Sequence, residues 1–247
     1  MNALRATAAE LVAEGKGILA ADESNATMAK RMQVVGAPST PETRLRFREL
    51  LVTTPGAGAA ISGVILYDET LRQRAADGTP FPALLERLGM LPGIKVDTGV
   101  KPLAGAPGEG VTEGLDGLRD RLAEYRELCA RFAKWRAVLQ IGPGTPTRRC
   151  VAANAHALAR YAALCQEADI VPIVEPEVLM DGEHRIERSA EVTEAVLRAV
   201  FAELTEQRVL LEGIVLKPNM VLAGCDCEHR PGVEEVARDT LAVLRRA

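Results

Sequence analysis

The chain has 247 residues, 47% of them apolar, and a formal net charge of −4, which describes a soluble globular protein with one sizeable core. Its basic residues are scattered rather than clustered, which argues against nucleic acid as the principal partner. No run approaches the roughly 18 consecutive apolar residues of a membrane span.

In chain order, MNALRATAAELVAEGKG is an amphipathic helical pattern without a signal-peptide apolar region, so a cytoplasmic protein is expected. Gly17–Ala21 (GILAA) follows as a short apolar strand, then a helical pattern over Pro41–Leu51 and a second strand over Ile61–Tyr67. DGTPFP at Asp77–Pro82 breaks the chain before a third strand at Gly93–Val96, and PGEG at Pro107–Gly110 marks another turn. A helix over Leu115–Phe132 precedes a strand over Trp135–Ile141, and a helix over Thr147–Ala168 precedes a strand over Ile170–Val174. MDGEH at Met180–His184 is a turn, followed by a helix over Ser189–Glu206, a sixth strand over Leu210–Leu216 and a helix over Val233–Arg246. Alternation of this kind predicts βαβ units on a parallel sheet in a single domain, residues 1–247. An open doubly wound sheet would call for a glycine-rich phosphate turn after a strand, and neither GxGxxG nor GxxxxGK[ST] occurs.

The five cysteines are an odd number without an export signal, so reduced thiols are expected. Cys225 and Cys227 form a C-x-C pair near His229, but no second cluster completes four ligands, and no metal site is expected.

The informative pattern is where the charges lie. Asp22 and Glu23 follow the first strand, Asp68 and Glu69 the second, Lys95 and Asp97 close the third, Glu175 and Glu177 follow the fifth, and Lys217 follows the sixth. In a parallel barrel every C-terminal strand end points to one rim, so these groups assemble one polar site from distant segments. Residues two apart share a face, pairing Lys95 with Asp97, Lys134 with Arg136 and Glu175 with Glu177. Asp68 and Glu69 look like local structure.

GKGILAADES (Gly15–Ser24), GVILYDETL (Gly63–Leu71), GIKVDTG (Gly93–Gly99), KPLAG (Lys101–Gly105), GLDGL (Gly114–Leu118), FAKWR (Phe132–Arg136), IVPIVEPEVLMDGEH (Ile170–His184) and LEGIVLKPNMV (Leu211–Val221) occur in that order. Together they resemble class I, Schiff-base-forming fructose-bisphosphate aldolase over essentially the whole chain. The resemblance implies a TIM (β/α)8 barrel, no cofactor, and reversible cleavage of fructose 1,6-bisphosphate to dihydroxyacetone phosphate and glyceraldehyde 3-phosphate. It implies Lys217 as the Schiff-base lysine, Glu175 as the acid/base that dehydrates the carbinolamine with Glu177 beside it, and Asp22 near the hydroxyls around the cleaved bond. Lys134 is expected as the cation that activates Lys217. Lys95, Arg136 and Ser24 are expected to bind the sugar phosphate.

Only about six of the eight βα units are expected in these 247 residues, with the seventh and eighth strands and the C-terminal tail absent. A homo-oligomer, a tetramer in this family, is expected if the barrel is completed. The alternative is a catalytically incompetent remnant that acts by association through open sheet edges.

Overall fold

The computed structural model describes residues 2–247. The chain opens with helix α1 (Asn2–Leu11), strand β1 (Gly17–Ala21), and helices α2 (Asn25–Val34), α3 (Pro41–Thr53) and α4 (Ala57–Ala60). Strand β2 (Ile61–Leu66), helices α5 (Asp68–Leu71) and α6 (Phe81–Arg87), strand β3 (Leu91–Lys95), a hairpin of β4 (Gly99–Pro102) and β5 (Gly110–Glu113), and helix α7 (Leu118–Glu127) follow. The remaining elements are β6 (Phe132–Leu139), α8 (Arg148–Glu167), β7 (Val171–Val178), α9 (Ile186–Glu206), β8 (Val215–Leu216) and α10 (Val233–Arg246).

β1, β2, β3, β6, β7 and β8 form one six-stranded sheet in that order, with every neighbouring pair parallel. The helices bury its outer face, where Trp135, Leu139, Tyr161, Val174 and Val196 belong to the main core. Trp135 stacks on Tyr161 with ring centroids 5.4 Å apart. The inner face has its own smaller core, in which Ile65, Leu91, Phe132, Val171 and Ile173 meet Leu4, Ala8 and Leu11 of α1. Helix α1 therefore closes the N-terminal end of the arc.

Two glycines make room for that closure. A Cβ on Gly93 would lie 2.3 Å from the Phe132 ring, and one on Gly63 would lie 2.8 Å from it. These positions are bare because the ring occupies the volume their side chains would need.

The structure corrects several sequence boundaries. β6 starts at Phe132, where a helix end was expected, because α7 stops at Glu127 and Cys129 reverses the chain with φ 68°. Lys134 and Arg136 thus lie inside a strand on the inward face they share with Phe132. β7 runs through Val178, so Glu175 and Glu177 belong to the strand instead of following it. Of Leu210–Leu216, only Val215 and Leu216 pair as a strand; Leu211–Gly213 is a turn of 3-10 helix. The β4–β5 hairpin and helix α2 lie in segments read as connections, since each is short and weakly apolar.

Candidate active site

Period-two alternation carries the inner face from apolar floor to charged mouth. Along β6 the sequence is Phe132, Lys134, Arg136; along β7 it is Ile173, Glu175, Glu177; and β8 continues from Val215 to Lys217. Register aligns the strands so that the charges meet: Lys95 lies opposite Lys134, Arg136 opposite Glu175, and Val138 opposite Glu177.

Glu175 is the hub. It is 2% exposed, and its Oε1 accepts a very short hydrogen bond from Lys217 Nζ while its Oε2 lies 3.3 Å from Lys134 Nζ. Lys134 in turn donates to Asp22 Oδ2 at 3.1 Å. Burial disfavours charge on Lys134, but the carboxylates of Asp22 and Glu175 outweigh it and raise its pKa above the ordinary lysine value. Lys134 is therefore a fixed cation held between two carboxylates, and it meets Lys217 through the two oxygens of one glutamate.

The other expected residues sit higher in the mouth. Lys95 Nζ bonds Asp97 Oδ1 at 2.6 Å and the Asp97 carbonyl at 2.9 Å. Arg136 pairs through Nε with Glu177, and this pair outweighs burial to raise the arginine pKa. Ser24 caps α2, accepting from the Thr27 N–H at 3.3 Å. Asp22, Ser24, Lys95, Lys134 and Arg136 line one cavity of about 410 Å³. Lys217 instead lines a neighbouring cavity of about 300 Å³, walled by Ile18, Ile65 and Ile173 on the open side between β1 and β8. Its side chain is 54% exposed. A larger groove of about 550 Å³ between α8 and α9 is walled mainly by alanine and valine and contains none of these groups.

Asp68 and Glu69 do not join the site: they pair with Arg72 and Arg44 respectively. The sequence reading missed Asn219. Its Oδ1 accepts from the Val178 N–H at 3.1 Å and its Nδ2 donates to Thr193 at 3.2 Å, which ties the chain after Lys217 to the end of β7. It also missed Arg48, which is wholly buried. The available signal was a pair of arginines, Arg44 and Arg48, on the face of α3 that should have been apolar.

A family model described as fructose-bisphosphate aldolase class-I matches residues 3–247. A probable fructose-bisphosphate aldolase class 1 of Xanthomonas campestris is 59% identical over 242 residues, covering 98% of this chain and 72% of the relative. Fructose-bisphosphate aldolase 6, cytosolic, of Arabidopsis thaliana is 52% identical, covering 98% of this chain and 68% of its own. Among solved structures, fructose-bisphosphate aldolase from Plasmodium falciparum, in complex with TRAP and a small-molecule inhibitor, superposes with a TM-score of 0.97 at 48% identity. That match covers 99% of this chain and 71% of the other.

Proposed function

The chain belongs to the class-I fructose-bisphosphate aldolase family, and from that membership we propose that it cleaves fructose 1,6-bisphosphate reversibly through a Schiff base on Lys217. The observation that carries the residue assignment is the Lys217–Glu175–Lys134–Asp22 chain of contacts. An amine, a buried carboxylate at hydrogen-bond distance from it, and a second carboxylate facing the same cation are the groups that aldol cleavage requires.

Lys217, as the free amine, adds to the ketone carbon. Glu175 protonates the departing hydroxyl, water leaves, and an iminium forms. Asp22 accepts the proton of the hydroxyl on the second carbon from the iminium as the bond between that carbon and the first breaks; the second carbon becomes the aldehyde carbonyl, and the electron pair moves into the iminium and leaves an enamine. The aldehyde departs. The enamine is then protonated at carbon, and water regenerates the ketone and the amine. Lys134 stays charged throughout and holds Asp22 and Glu175 apart at its own nitrogen. The terminal nitrogens of Arg136 have no protein partner among the described residues and are available for a phosphate, with Lys95 and Ser24 beside them in the cavity. Reaction in the cytoplasm forms part of the same proposal, on the pattern of the cytosolic relative, and a homo-oligomeric state is proposed with it as an expectation of the family alone.

A second reading rests on a specific observation: β1 and β8 are unpaired edges of the sheet, and Lys217 is more than half exposed beside one of them. An association module would use those edges and leave the amine idle. Borohydride reduction with dihydroxyacetone phosphate, followed by peptide mass spectrometry, separates the two. An adduct on Lys217, together with loss of cleavage and retained folding in Lys217→Met, supports the aldolase. Undiminished cleavage by that variant, or a folded wild-type chain with no adduct, overturns it.

A further inference from the structure

Resting on the aldolase reading, we propose that Arg48, a side chain that touches no reacting atom, is a positioning residue that fixes Asp22 for the bond-breaking step. β1 pairs with β2 only as far as Ala21, and α2 begins at Asn25, so Asp22 sits on a three-residue bridge between two elements, outside the sheet ladder. Arg48 reaches that bridge from α3. Its Nε donates to the Ala21 carbonyl at 2.8 Å and its Nη2 to the Glu23 carbonyl at 2.7 Å, one on each side of Asp22. Its Nη1 is anchored on Thr70 Oγ1 at 2.7 Å.

The arrangement is costly for a merely structural contact. Arg48 is 0% exposed, and burial lowers its pKa, with Glu23 the leading opposing charge. Glu23 Oε2 lies 3.8 Å from Nη2 and has no hydrogen-bond partner, so it acts as a counter-charge rather than a ligand. A rigid fork of donors is what can hold two carbonyls and a hydroxyl at once. The result at the site is directional: with both flanking carbonyls fixed, the Asp22 carboxylate is held against Lys134, which also faces the Glu175–Lys217 pair.

Arg48→Lys keeps the charge and removes the fork. In the full chain, kcat for cleavage of fructose 1,6-bisphosphate should fall at least about tenfold with KM changed less than about threefold, because a bond-breaking geometry is lost and not ground-state binding. Borohydride trapping of dihydroxyacetone phosphate on Lys217 should proceed at the wild-type rate, since imine formation does not use Asp22. In an Asp22→Asn background the same substitution should change kcat less than about twofold. A structural role alone would lower trapping and cleavage together and multiply with Asp22→Asn, and that result overturns the inference, as does unchanged kcat. If Arg48→Lys does not fold, Thr70→Val, which removes only the Nη1 anchor, decides: slowed cleavage with intact trapping supports the grip, and unchanged cleavage refutes it. A wild-type chain that neither traps nor cleaves overturns the aldolase reading and this one with it, whereas an active wild type with an indifferent Arg48→Lys removes this one alone.

Discussion

β6 and β7 pair over eight residues each, and both are buried at nearly every position between the helices and the inner face; β8 pairs over two residues and stands at the sheet edge. The first region carries Lys134 and Glu175, fixed and nearly inaccessible. The second carries Lys217, the amine proposed to form the Schiff base. The contrast teaches that the paired charges are organised where packing is deepest and the proposed Schiff-base amine stands where packing is least, joined by a single glutamate that belongs to the deep side.

Four substitutions would break or sharpen that contrast. The largest effect is expected at Trp135, wholly buried and stacked on Tyr161. Trp135→Ala should cost about 3–5 kcal/mol in urea unfolding, while Leu216→Ala on β8, only partly buried, should cost under about 2 kcal/mol. Equal losses would erase the distinction between the two regions.

Next comes Glu109, which fastens the β4–β5 loop to the start of α8 by accepting from the Thr147 N–H and hydroxyl, each at 2.6 Å. Burial pushes its pKa up, but those two donors prevail and hold it below the ordinary glutamate value. A depressed carboxylate stabilises above its unfolded pKa, about 4.3, and loses that contribution as pH falls through the folded value. Glu109→Gln should therefore cost about 1.5–3 kcal/mol at neutral pH and flatten the acid limb of the stability profile. An unaltered acid limb would contradict this. The smallest loss of stability is expected for Asn219→Ala, about 1 kcal/mol, yet trapping at Lys217 should slow about tenfold because the amine loses its register against Glu175. A variant that traps at the wild-type rate would show that two paired residues suffice to hold β8.

The sequence order of charges at strand ends pointed to one rim for Asp22, Lys95 and Lys217, because parallel pairing leaves little freedom; Lys134 and Arg136 precede the apolar run of their strand, and only the resemblance put them in the site. The six strands were legible from β-rich apolar runs, down to β8, whose apolar content overstates its pairing. Depth was not legible: Glu175 and Glu177 were read as following a strand that in fact carries them, since Pro176 masks its continuity. The roles of Arg48 and Asn219 were missed for another reason, although the arginine pair on the inner face of α3 hinted at burial. Each acts on a backbone group, and a backbone partner cannot be identified from residue types.

Helix α1 has a bearing on how the molecule is made. Its Leu4, Ala8 and Leu11 pack with Val171 and Ile173, and Thr7 accepts from Arg131, 124 positions downstream. During synthesis this helix emerges with a greasy side that its partners cannot cover completely until β7 has left the ribosome, so part of it stays exposed over a long interval. The floor beneath the lysines is a part of the protein whose two sides are translated far apart, α1 well before β7.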